Sequence, residues 1–354
     1  MKSSPDFFHT PFFIRLFNWE YWPFNAVYGW VMPFWFILCL RSRSFFFFNA
    51  SNPKIENGGL LNESKKDIHA ILPEGLFPQS LHFSTPAVPH VVFQEMVSRG
   101  LQFPVMGKPD VGGRGRGIKK LSSREDLEFY IKYATLDFHL QEFVPYENEV
   151  GIFYYRFPGE SGGHISGIVR KEFLKVIGDG TSTIKQLLSS DKRGLIYLNS
   201  QSTNTTEELN QVLENGVISI VSPFGNHARG SLFLDDSHLI DQALTKQMDR
   251  IANQIPEFYF GRLDIRFRDW ESLKNGEDFI LIEVNGAGSE PTHMYDPRHS
   301  IFFAWKEIVR HWYIMNKISR MNNKRGVPYL SFSAGREVFR KDREISAKLD
   351  RMPV

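Results

Sequence analysis

The chain has 354 residues, enough for two or three domains around a sizeable core. Its formal charge is only +2, and no basic block is interleaved with aromatic residues, so nothing in it reads as a nucleic-acid footprint. A single cysteine, Cys39, excludes an intrachain disulfide and suits a reducing compartment.

The N-terminal stretch is dense in phenylalanine, and from Tyr21 to Leu40 no residue is charged. That length meets the minimum for a bilayer-spanning helix. Arg41 and Arg43 follow, and Trp and Tyr are frequent, as in interfacial anchors. Pro23 and Pro33 count against a straight helix. The n-region is long and not basic and no small-residue cleavage site follows, so this is not a signal peptide. Three readings stay open: a spanning helix, an interfacial or re-entrant anchor, and a hydrophobic arm that is buried or forms an oligomer. If the segment spans, the arginines place the remainder in the cytoplasm.

A soluble part begins near Ser44. Phe45–Asn49 has strand character, Asn52–Gly59 is rich in turn formers, and a helix starts near Asn62 or Glu63. Asn52–Gly59 reads as a surface turn or a substrate-contacting loop. Leu81–Phe83 reads as a strand and Val88–Arg99 as a helix ended by Gly100. This alternation predicts a short N-terminal α/β unit over 44–99.

Phe103–Lys108 reads as a strand that leads into a glycine-rich loop, Pro109–Gly117. Gly112, Gly113, Gly115 and Gly117 free backbone amides to approach an anion, with Arg114 and Arg116 beside them. The loop fits neither the Walker-type nor the dinucleotide pattern. Ser122–Tyr133 follows as a helix. His139–Val144 and Glu149–Tyr155 read as two strands around a short turn. A strand end there can accept an adenine ring, and the Glu149 carboxylate can accept ribose hydroxyls. His164–Phe173 continues the strand pattern and brings Arg170 and Lys171 as phosphate partners. Thr181–Leu188 opens a helix, and 191–216 reads as a polar insertion with one short helix. Gly225–Gly230 places His227 and Arg229 in a glycine-flanked loop, as ligands for a substrate carboxylate or as structural residues. Leu239–Gln254 and Ile301–Ser319 are amphipathic helices, and the tail from Asn322 reads as basic, then mixed in charge and mobile.

Two further strands lie between those helices. In Phe258–Phe267, Leu263, Ile265 and Phe267 alternate with Arg262, Asp264 and Arg266. In Asp278–Pro291, Phe279, Leu281, Glu283 and Asn285 fall on one face by the period of two. Asn275-Gly276 offers a turn between them. Pairing the strands gathers Asp264, Glu283 and Asn285, hard oxygen donors that suit Mg2+ carrying nucleotide phosphates.

Lys108 with GGRGRG, QEFVPYENEV, IGDGTSTI, GRLDIRF and IEVNGAGS stand in the order and spacing of a known family. The chain resembles the ATP-grasp superfamily, on the branch of D-alanine–D-alanine ligase and the ATP-grasp part of cyanophycin synthetase, from about Phe103 to Pro291. IGDGTSTI favours the latter branch. The resemblance implies an α/β (α+β) ATP-grasp fold over about 100–320, after the short unit at 44–99 and the membrane-associating segment at 1–43, and before the tail at 321–354. It implies Lys108 on the α- and β-phosphates, with Gly112, Gly113 and Gly115 closing over them. Glu142 and Val144 would meet the adenine, and Glu149 the ribose. Lys171, and less firmly Arg170, would support the phosphates. Arg262 would stabilise the transferred phosphoryl group or the tetrahedral intermediate. Asp264, Glu283 and Asn285 would hold two Mg2+, with Mn2+ as a substitute. Gly288, with Ser289, would face the acyl group. The N-terminal unit is shorter than in D-alanine ligases, and their substrate-side residues have no counterpart in it.

The implied activity joins a carboxylate to an amine with ATP through an acyl phosphate; the N-terminal segment adds the expectation of an amphiphilic, lipid-like acceptor at the cytoplasmic membrane surface, its rival being a segment folded back over the catalytic domain and a soluble amino acid as substrate. Transfer of phosphate to a hydroxyl is the rival within enzymes. A membrane-attached ATP-binding regulator is the rival outside them. Both substrates and the oligomeric state stay open.

Overall fold

In the computed structural model, described for residues 10–352 except 74, 114, 201–205, 223–224 and 228–229, the elements run in chain order as follows. First come α1 (Pro11–Phe17), α2 (Phe24–Tyr28), α3 (Met32–Ser42), α4 (Lys65–Ile71), β1 (Ser80–Phe83) and α5 (Pro89–Ser98). Then come β2 (Val105–Pro109), β3 (Lys119–Leu121), α6 (Arg124–Tyr133), β4 (Phe138–Glu142), β5 (Asn148–Tyr155) and β6 (His164–Glu172). β7 (Leu174–Ile177), α7 (Ile184–Ser189), α8 (Lys192–Ser200), α9 (Thr206–Leu209), β8 (Ile218–Ser222) and β9 (Leu232–Asp235) follow. The chain continues with α10 (Gln242–Gln254), β10 (Phe260–Phe267), α11 (Trp270–Asn275), β11 (Phe279–Asn285), α12 (Ile301–Lys324) and α13 (Phe332–Leu349). Several helices start on side-chain caps: Ser64, Ser123, Thr183, Asp241, Ser300 and Ser331 each accept from an amide in the first turn.

The strands form a four-stranded sheet β1-β4-β2-β3, a five-stranded sheet β11-β10-β5-β6-β9 and a ribbon β7-β8. Every pairing is antiparallel. One face of the larger sheet buries Val150, Ile152, Leu263 and Ile265 against Leu244, Met248 and Ile251 of α10. Along β10 that leaves Arg262, Asp264 and Arg266 on the opposite face, as the alternation predicted. The smaller sheet buries Val105, Phe138 and Leu140 with Leu127 of α6 and Val92 of α5.

Some expectations fail for physical reasons. Residues 44–99 form no sheet of their own, because β1 is the edge strand beside β4. Phe45–Asn49 is not a strand; Phe47 and Phe48 start a 3-10 turn and are fully buried. Asn275-Gly276 is not a hairpin turn; α11 occupies the link and Gly276, at φ 84°, caps its C-terminus. The insertion after Asp191 carries two helices, α8 and α9, where the sequence reading had one. As far as Met352 the tail is packed: α12 runs on to Lys324, and Leu349 at the end of α13, with Met352 just after it, docks into the core of the smaller sheet.

The N-terminal segment breaks at both prolines. Pro23 caps α2 and Pro33 sits in the first turn of α3. No helix among the described residues is long and apolar enough to cross a membrane. Val27, Tyr28 and Val31 pack on Met294, Ala304 and Ile308, and Leu38 and Cys39 pack with Phe153, Phe260 and Ile314. Part of the segment is therefore core.

Candidate active site

Strand register builds the site. Glu149 on β5 lies opposite Lys171 on β6 and Arg266 on β10, and Asp264 on β10 lies opposite Glu283 on β11. Lys171 Nζ donates to Glu149 Oε1 and Asp264 Oδ2, each at 3.0 Å. Arg262 Nε donates to Asp264 Oδ1 at 2.6 Å, and Arg266 Nε to Glu149 Oε2 at 3.2 Å. The result is a buried lattice of alternating charge across three strands. Gly151 lies between them: a Cβ there would meet Asp264 Oδ1 at 2.9 Å and Arg262 Cδ at 3.0 Å. Its lack of a side chain lets Arg262 and Asp264 lie across β5.

Burial would raise the Asp264 carboxyl, but Arg262 and Lys171 outweigh it and hold it below the usual carboxylate range. Burial pulls Lys171 down, but Asp264 and Glu149 push it above its ordinary value. Lys108, on β2, behaves differently. Burial dominates and pushes it down to about 8, while Glu283 and Glu149 pull the other way. Its ammonium donates to Gln141 Oε1 on β4. It is the site cation most ready to lose its proton.

The β10–β11 ladder carries a register shift between Asp264 and Ile265. The shift corrects the single face expected on β11. Leu281 turns into the core beside Val284, while Glu283 and Asn285 face Asp264 and Arg262. Among the described residues the Glu283 carboxylate makes no hydrogen bond or ion pair, its pairing with Asp264 being through the β10–β11 ladder, and Asn285 Nδ2 is buried with no partner. A free carboxylate and an orphaned amide side by side fit a divalent ion and its anionic ligand. Asp264 stands beside them with both oxygens held by Arg262 and Lys171.

Other expected residues lie elsewhere. Arg170 sits on the opposite face from Lys171, paired with Asp236 and Glu172. Glu149 has both oxygens taken by Lys171 and Arg266, so it stands inside the lattice and not on the rim where a ribose would meet it. The Val144 carbonyl accepts from Arg266 Nη1, and Glu142 is exposed next to Gln79. Gly288 does not offer a free amide: it donates to Gly59 O at 2.8 Å. Ser289 Oγ donates to Asn285 O and accepts from Arg262 N, so it staples the loop. His227 Nε2 donates to Glu20 Oε2 at 3.0 Å and its ring stacks on Tyr295, so a carboxylate does sit on it, supplied by this chain. Arg229 and Arg114 lie outside the described residues.

Further contacts around the site are not legible in the sequence. Gly58-Gly59 is a buried strap, since Ala287 and Gly288 donate to the carbonyls of Gly58 and Gly59. A Cβ on Gly59 would lie 2.7 Å from Gly286 Cα. Glu63 is raised chiefly by burial, with Glu283 and Asp342 of α13 adding like charge. On the smaller sheet, His139 Nε2 lies 2.8 Å from Asp110 Oδ1, which also accepts from Lys66 N and so holds the start of α4. Gly112 of the glycine-rich loop contacts Leu349, and Arg116 contacts Ser346 and Asp350, so α13 lies on that loop.

No family model matches the chain, and no curated protein matches it. Solved structures do. The chain is similar to the VanG D-Ala:D-Ser ligase of Enterococcus faecalis at 13% identity and a TM-score of 0.40, covering 70% of this chain and 61% of that one. It is similar to the D-alanine–D-alanine ligase of Bacillus anthracis at 14% identity and a TM-score of 0.43, covering 76% and 71%. A bifunctional glutathione synthetase from Pasteurella multocida is similar at 15% identity and a TM-score of 0.34, over 68% of this chain and 35% of that one. The chain thus spans about three fifths of the first of these relatives and about a third of the last.

Proposed function

We propose that this chain is an ATP- and Mg2+-dependent carboxylate–amine ligase of the ATP-grasp type. The single observation that carries the reading is the lattice on β5, β6 and β10, in which Lys171, Arg262 and Arg266 are interleaved with Glu149 and Asp264, with the unpaired Glu283 carboxylate of β11 opposite Asp264 and Lys108 in electrostatic reach. Such a face is suited to a polyphosphate with its metal and poorly suited to a neutral ligand.

Bound there, Mg2+ would neutralise phosphate charge, held by the Glu283 carboxylate and the Asn285 amide oxygen, while Asn285 Nδ2 would be free to donate to a phosphate oxygen. Lys108 and Lys171 would orient the phosphates. Arg262 would keep its charge throughout, because Asp264 raises its pKa further. A substrate carboxylate oxygen then attacks the γ-phosphorus and ADP leaves. The amine nitrogen attacks the resulting acyl phosphate, and inorganic phosphate leaves. No nucleophilic side chain is required, and the one thiol, Cys39, is buried away from the site with its pKa pushed up to about 11 by burial. The acceptor in this reading is amphiphilic and met at a membrane surface.

An ADP-release screen tests the reading: full-length protein, ATP and Mg2+ with amino acids and amine-bearing amphiphiles, products read by mass spectrometry. ADP with an amide supports it. ADP with a phosphate ester replaces it with a kinase, and failure to bind ATP at all removes it.

A further inference from the structure

The N-terminal segment buries one side and leaves the other bare. On α3, Leu38, Cys39 and Ser42 face α12, where Asn316 Nδ2 donates to Leu38 O and Ser42 Oγ. Turned outward on the same short helix are Phe36, Ile37 and Leu40, the last 78% exposed. Trp30, just before it, is 76% exposed and lies 6.3 Å from Trp305, which also touches Phe302, itself 72% exposed. A helix apolar all round, with only one side in contact with protein, leaves the other for a second apolar phase.

The charges beside this ridge have one sign. From Tyr21 to Ile55 there is no acidic residue, and the basic ones are Arg41, Arg43 and Lys54. On α12 the only acid is Glu307, which is buried and held by His293 and Arg310. Lys306 is exposed one turn from Phe302, and the Arg41 guanidinium lies over the Tyr313 ring at 5.3 Å. Aromatic and aliphatic tips with cations beside them, and no exposed acid among them, match an anionic bilayer surface.

We propose that the outer face of α3, together with Trp30 and Phe302, is a monotopic docking surface that inserts into the headgroup and upper acyl region of an anionic membrane. It deepens the membrane placement proposed above, but it does not require ATP turnover. It replaces a spanning helix with a ridge made jointly by α3 and the first turn of α12.

The test uses the full chain and sedimentation with vesicles of phosphatidylcholine alone or mixed with phosphatidylglycerol. Binding to the mixed vesicles is expected, weakened by salt. The variant carrying Trp30→Ser, Phe36→Ser and Leu40→Ser is expected to lose about tenfold or more in partitioning. ATP affinity, measured by calorimetry on the same samples, is expected to stay unchanged. Full-length protein that stays in the supernatant overturns the proposal, and so does a variant that binds vesicles as the parent does. A parent that is dimeric without lipid and a variant that is monomeric would assign the face to a second copy instead. Loss of ATP binding in the parent would sink the ligase reading and leave this one standing.

Discussion

At the scale of residues, Glu283 and Lys108 separate the chemistry from the scaffold. Glu283 has no partner to release, so Glu283→Gln is expected to keep the thermal midpoint while lowering ADP release by about two orders of magnitude, as lost metal charge would. Activity within a few-fold of the parent would remove Glu283 from the metal site. Lys108 gives a pH signature. Its folded pKa, about 8, lies below its ordinary value of 10.5 because burial disfavours the charge. The ammonium is therefore present below pH 8 and lost above it, and ATP affinity is expected to fall as pH rises through 8. Stability should move the other way. Between about 8 and 10.5 the unfolded chain holds a proton that the folded one has released, so this group's contribution rises with pH. Lys108→Ala should abolish both trends, read by calorimetry and thermal melts over that range.

At the scale of elements, much was legible. Alternation in FYFGRLDIRF identified β10 and its charged face, serines at 122 and 123 marked the start of α6, and amphipathic patterning placed the start of α10 to within a few residues. The face of β11 was misread because one shifted residue in the ladder breaks a period of two, and nothing in FILIEVN marks it. The stretch at 52–59, read as a surface turn or a substrate-contacting loop, is a strap held by long-range hydrogen bonds that its composition does not show. Asn52 Nδ2 donates to Gly58 O and Phe260 O, and its Oδ1 accepts from Tyr259 N and Phe260 N. An asparagine in a turn-rich stretch reads as a turn former, and only its partners show it to be a buried clamp. Asn52→Ala removes all four bonds, with Gly58 O keeping only its bond from Ala287 N, and is expected to cost about 3 kcal/mol. Thermal melting should show a fall of several degrees, and an unchanged midpoint would reject the clamp.

At the scale of the molecule, the N-terminal segment is both core and surface, which composition alone could not divide. Val27, Val31 and Leu38 are each buried against α12 or its approach. At roughly 1.5–3 kcal/mol for each such side chain, their loss rivals the net stability of a typical protein. A chain beginning at Ser44 is therefore expected to lose cooperative unfolding and to aggregate. A sharp melt close to the parent's would show that the segment is dispensable to the fold.

The C-terminal helix carries a mechanical consequence. At one end of α13, Gly335 closes on the Phe46 ring, in the cluster built around the larger sheet and α12. At the other end Leu349 and Met352 press on Gly112 and Gly117. A rod of about 27 Å, at 1.5 Å per residue, thus links the body that bears the acids to the loop expected to close over phosphate. A rod held at both ends fixes the separation of its anchors. In the ligase reading, a movement of the smaller sheet away from the larger one would have to slide about the ends of this strut. Loosening one anchor, as Leu349→Ala would, should raise the rates of nucleotide entry and exit together in stopped-flow traces, with far less change in their ratio.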